Sequence, residues 1–192
     1  GMGDGGRSYG YAAVVGGDLR IASRFSMGLD GSYVHRNDDQ QWIGNYGAVL
    51  SDTTHFTFAH LNQTTLSMTG RVNWTASPTL SLQLYAQPFV SSGDFDNWRE
   101  LADPRADTYE DRYRPFGGRQ TPDGFSYKQF NSNAVMRWEY RPGSTLFLVW
   151  QQGRLHDRVS RPGFEFVRDY RDLFRAHPDN TFLVKVAYWV NP

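Results

Sequence analysis

Residues 79–90 read TLSLQLYAQPFV. The even-numbered positions hold Leu80, Leu82, Leu84, Ala86, Pro88 and Val90, and the odd ones open with Thr79, Ser81 and Gln83. Successive strand side chains point to opposite faces, so the run reads as a β-strand with one apolar and one polar side. Its apolar side needs either a protein core or lipid. Pro88 cannot donate to a ladder, which predicts a position near a strand end, at a rim or bulge.

The same period recurs along the chain. Leu66, Met68, Gly70, Val72 and Trp74 alternate with Ser67, Thr69, Arg71 and Asn73, and a slip of one residue would exchange the two faces. Tyr9, Tyr11, Ala13, Val15, Leu19 and Ile21 oppose Ser8, Asp18 and Arg20, while Phe25, Met27, Leu29 and Tyr33 oppose Ser26, Asp30, Ser32 and Arg36. Ala134, Met136, Trp138 and Tyr140 oppose Asn133, Arg137 and Glu139; Phe182, Val184, Val186, Tyr188 and Val190 oppose Lys185. In 145–151, Phe147 and Val149 blur the polar side. Together these runs predict seven strands, at about 8–22, 25–36, 56–75, 79–90, 127–140, 145–154 and 181–190.

The links between them alternate in length. Ser23-Arg24, Ala76-Ser77-Pro78 and Arg141-Pro142-Gly143-Ser144 are tight, whereas 37–55, 91–126 and 155–180 are longer than connections in a compact soluble domain usually are. Tight turns at one end and long loops at the other are the pattern of an outer-membrane β-barrel, with strands apolar towards lipid and polar towards the lumen. Trp74, Trp138, Tyr140, Tyr188 and Trp189 fall near the tight-turn ends, as an aromatic girdle does. The expected fold is therefore all-β: an antiparallel meander of about seven strands over residues 1–192, in an outer-membrane-type barrel with its long loops on one side. A soluble sandwich shows the same alternation, with core in place of lipid, and stays open as an alternative. Single-chain bacterial barrels have an even strand number with both ends in the periplasm, so seven strands starting outside point to the C-terminal segment of a longer, larger barrel.

Composition narrows the function. Lys+Arg and Asp+Glu are both 20, giving no net field to recruit nucleic acid. Aromatics reach 16%, which suits a chain with rings at an interface. Cysteine is absent, which excludes disulfides and thiolate metal sites. No apolar run approaches the roughly 20 residues of a spanning helix. GMGDGGRSYG lacks the basic start and apolar middle of a signal peptide, so the chain reads as intracellular or as part of a longer one.

Three blocks carry a resemblance: FTFAHLNQTTLSMTGRVNWTASPTLSLQLYAQPFVSSGD (56–94), NSNAVMRWEYRPGSTLFLVWQQGR (131–154) and RDLFRAHPDNTFLVKVAYWVNP (171–192). They resemble the C-terminal part of a bacterial family of unknown function, in which a domain similar to a family 9 carbohydrate-binding module precedes a large barrel thought to lie in the outer membrane. The resemblance implies an outer-membrane location, a lipid bilayer as partner, and a structural or transport role linked to glycans. Some members are labelled membrane-associated hydrolases, but no catalytic motif carries over to positions here.

The residues themselves supply no cofactor or metal motif. His35, His55, His60, His156 and His177 are scattered without HxH, HxxxH or HExxH spacing, GxSxG is missing, and the glycine pairs 16–17 and 117–118 read as punctuation. In the long stretch DFDNWRELADPRADTYEDRYRPFGG, Asp94, Asp96, Asp103, Asp107, Glu110 and Asp111 are interleaved with Arg99, Arg105, Arg112 and Arg114, which reads as a salt-bridged external loop and departs from the EF-hand order. Asp94, Asp96, Trp98 and Tyr109 are its candidates for binding a ligand; Phe95, Tyr113 and Phe116 add rings that stack on sugar or anchor the loop. Asp94 with Asp96 is also a carboxylate pair for a hydrolase reading, which needs a defined separation. Facing a lumen, Asp18, Arg20, Asp30, Arg71, Arg137, Glu139 and Lys185 would pair across it or tune what passes. Phe166, Val167, Tyr170, Leu173 and Phe174 recur at helical spacing, predicting a short amphipathic helix at about 166–176 that covers a rim or touches the membrane surface.

Overall fold

The computed structural model describes residues 5–47, 54–118, 124–157 and 163–190. Its elements are β1 (Tyr9–Ala22), β2 (Phe25–Tyr46), β3 (His55–Ser77), β4 (Leu80–Leu101), a 3-10 turn (Glu110–Arg112), β5 (Tyr113–Pro115), β6 (Gly124–Arg141), β7 (Ser144–His156), α1 (Phe166–Arg175) and β8 (Asp179–Ala187). All strand pairs are antiparallel, in the order β1-β2-β3-β4-β6-β7-β8, with β5 a short flap on β4. The sheet is open. β1 and β8 are its edges, and both run towards the end that carries the tight turns, where Trp189 lies against Gly143. Gly143 has φ +76, a left-handed conformation that a side chain would strain.

Two expectations change. β2 and β4 run well past their predicted segments, with 22 residues each, while β3, expected at 56–75, has 23; at about 3.3 Å per residue the three are about 70 Å long. Much of 37–55 and 91–126 is therefore strand, and Asp94, Asp96 and Trp98 stand on β4 rather than in an external loop. The alternation is lost there because bulges at Asp38/Gln41, Trp42/Gly44 and Phe58/His60 reset the phase, with Asn97 at φ 47 in β4. Residues 48–53, 119–123 and 158–162 of the predicted connections lie outside the described residues. Pro88 is likewise mid-strand: it faces Phe130 in β6, while the β3 ladder skips from Ser67↔Phe89 to Gly70↔Ala86. The missing N–H is absorbed by two unpaired positions instead of a strand end.

Register aligns the apolar sides of all seven long strands. One row runs Met27, Val72, Leu84, Ala134, Trp150, Phe182, and the next runs Phe25, Trp74, Leu82, Met136, Leu148, Val184. Val15, Leu19 and Leu29 continue the face on the β1 side. Leu80 to Val90 covers roughly 33 Å along β4, the length of the apolar band on that strand. At the lower margin stand Trp74 and Trp138; at the upper margin the face turns polar at Thr64, Ser92 and Ser126, whose last two hydroxyls lie 3.0 Å apart. No second sheet covers the band among the described residues: Leu29 is 55% exposed and Val184 65%. Burial concentrates at its upper margin, at Val90, above it at Ala59, Leu61 and Trp98, and under α1 at Leu173.

Candidate functional site on the polar face

The opposite face collects the polar positions. Asp18, Arg20, Asp30, Arg71, Arg137, Glu139 and Lys185 all project from it, because each is out of phase with the apolar positions of its strand. Arg71 reaches Asp30 at 2.9 Å and lies 5.8 Å from the Tyr85 ring, and Arg137 reaches Glu139 at 3.3 Å. Lys185 stands 6.0 Å over Phe147. Asp18 and Asp30 lie across Gly28 and Gly16 on the neighbouring strands, where a Cβ would meet a carboxylate oxygen at 2.4 Å. Arg20 lines a small hollow at the first tight turn with Ser26 and Asn73. The seven share a face without converging on one point.

What does converge is mostly amides and hydroxyls. A cavity of about 480 Å³ opens on this face across β4, β6, β7 and β8, lined by Tyr85, Asn131, Asn133, Gln151, Asp179 and Thr181 among others. A second hollow of about 170 Å³ adjoins it through Tyr85 and Asn133 and adds Arg71, Asn73 and Gln83. The Oδ1 of Asn133 is buried without a hydrogen-bond partner among the described residues, a state that normally calls for a donor. Amides donate and accept, and a tyrosine ring offers a stacking surface, so the cleft matches ligands rich in hydroxyls. Charge and motif searches pass over such a site. Its signal is the repetition of Asn and Gln at Gln83, Asn131, Asn133 and Gln151 on the polar phase of adjacent strands.

The other candidates are spent on structure. Asp96 accepts from His60 Nδ1 at 2.8 Å. Asp94 is pushed above the ordinary carboxylate range, first by burial and then by the charge of Asp96. Trp98 is buried against Phe95. Tyr109 donates to Asp39 at 2.7 Å and accepts from Arg99 at 2.9 Å, while Arg99 itself bonds Asp39 at 3.0 Å. Burial, with the Asp39 bond, raises the Tyr109 hydroxyl to about 12. Tyr113 meets Phe58, and Phe116 meets Tyr46 and His55. These rings fasten the segment to the wall. Among the described residues no three acidic or histidine side chains gather as a metal site requires, and no helix is long and apolar enough to cross a membrane, which says nothing of strands.

No curated protein and no solved structure matches the chain. A family model does, over residues 4–191, and the chain belongs to that family, described as a domain of unknown function (DUF5916).

Proposed function

We propose that the chain forms part of the wall of an outer-membrane-type β-barrel in a bacterium, with the apolar band facing lipid and the polar face turned to a lumen that handles glycans. The band carries the reading. A contiguous apolar surface across seven strands far exceeds the few hundred Å² that a water-facing protein usually leaves open, and its roughly 33 Å along β4 is the length a strand tilted by about 40° needs to cross an apolar layer about 25 Å thick. A sandwich would need a second sheet over that surface. The edges support a larger barrel: β1 and β8 run in the same direction, so antiparallel closure takes an odd number of further strands. The glycan link rests on the amide-rich cleft, and the resemblance to a family carrying a carbohydrate-binding-like domain upstream agrees with it. A hydrolase is less favoured, because Asp179 is the one carboxylate lining the described cleft and glycoside cleavage takes two.

The test is fractionation of cells expressing the native full-length gene, followed by electrophoresis of the extracted protein with and without boiling. The reading predicts an outer-membrane band that shifts on boiling. A protein that is monodisperse without detergent would sink it, and the band would then be an interface with another protein layer.

A further inference from the structure

α1 does not plug the polar face. It lies on the apolar face, at the upper margin of the band: Phe130 and Lys128 beneath it are in phase with Ala134, Met136 and Trp138. The Phe174 ring is 5.3 Å from that of Phe130, and Lys128, 1% exposed, reaches Asp169 at 3.3 Å and Asp172 at 3.8 Å. Glu165 caps the first turn through the amides of Val167 and Arg168, and Arg154 of β7 donates to the carbonyls of Phe174 and Ala176. The helix is therefore fixed at both ends, with Asp169 and Leu173 turned inward.

Its outward side has two halves. Phe166, Val167 and Phe174 are 53%, 66% and 48% exposed, on the same side of the sheet as the band. Arg171 and Arg175 are exposed beside them and make no ion pair with any described residue, unlike Arg168, which holds Asp169. Apolar side chains next to arginines that no described acid pairs, at the height where the apolar face turns hydroxyl-bearing, fit the boundary between acyl chains and headgroups.

We infer that α1 is an interfacial anchor: Phe166, Val167 and Phe174 enter the outer edge of the acyl layer, and Arg171 and Arg175 bind anionic lipid headgroups. This rests on the barrel reading and adds to it a lipid-charge preference that a plain barrel wall does not require. Surface potential draws each arginine by about 1 kcal/mol, so the pair together gives roughly a thirtyfold preference for an anionic over a neutral surface.

The experiment uses the full-length protein, with a nitroxide on a Val167→Cys substitution and any cysteine elsewhere replaced, folded into phosphatidylcholine vesicles with and without phosphatidylglycerol. Electron paramagnetic resonance with oxygen and with a water-soluble nickel chelate reads the depth of the label, and boiling of the same sample checks the barrel. With phosphatidylglycerol present, the label is expected at the headgroup boundary, reached by oxygen and shielded from nickel. R171E/R175E in the same background is expected to lose that shielding while still shifting on boiling. A heat-modifiable protein whose label is open to nickel in both vesicles would overturn the inference and leave the barrel standing, and so would a label whose depth ignores lipid charge. A protein that neither inserts nor shifts would overturn both. If the double variant fails to fold, the label's depth in the two vesicle types decides alone.

Discussion

Arg99 shows how single residues hold the upper wall. Its guanidinium and the Asp39 carboxylate are 10% and 12% exposed, and Tyr109 completes the triangle while the ring of Tyr113 lies 4.4 Å under the charge. Removing one member of a buried pair leaves the other charged and unsolvated, so Arg99→Met is expected to cost about 3–5 kcal/mol, read by urea unfolding in vesicles. Tyr109→Phe removes the hydroxyl's two charge-assisted bonds, to Asp39 and from Arg99, but leaves those two paired with each other, and should cost about 1.5–3 kcal/mol. Similar losses for both would show that Arg99 is not the centre.

Glu100 gives a pH signature. Burial raises its pKa, but hydrogen bonds from Arg114 and His55 outweigh burial and hold the carboxyl below the ordinary glutamate value of 4.5. A depressed folded-state pKa contributes stability that is fully present above the unfolded value and lost as pH falls through the folded one. Stability should therefore drop below about pH 4.5 in the natural chain, and Glu100→Gln should flatten that acid limb. An unchanged slope would assign the acid sensitivity to other carboxylates.

At the scale of elements, α1 depends on a charge beneath it. Lys128→Met strands Asp169, which keeps the Glu165 amide and Arg168 as partners. The substitution should loosen the helix, seen as faster proteolysis across residues 163–178, and Lys128→Met with Asp169→Leu should slow cleavage again. Lys128 was legible in principle, since a lysine in phase with Phe130, Ala134 and Met136 must be covered by something. Period-2 patterning located the strands where one side meets a uniform medium, and the 3.6-residue spacing located α1. Above the band both faces are mixed and bulges shift the phase, so β2 and β4 outrun their patterned segments and Asp94 reads as loop. The amide-rich cleft was hidden for another reason: it is assembled from four strands, each contributing only one to three amides or hydroxyls.

For the whole molecule, the central claim is that one face of the sheet meets lipid. Leu84 sits mid-band on that face, and its neighbour Gln83 points to the other. Folding equilibria of the full-length protein in vesicles should separate them: Leu84→Arg is expected to cost about 2–4 kcal/mol, as arginine does at a bilayer midplane, and Gln83→Arg less than about 1. Equal costs for the two substitutions, or a full-length protein that folds in buffer with Leu84→Arg and needs neither lipid nor detergent, would contradict the account.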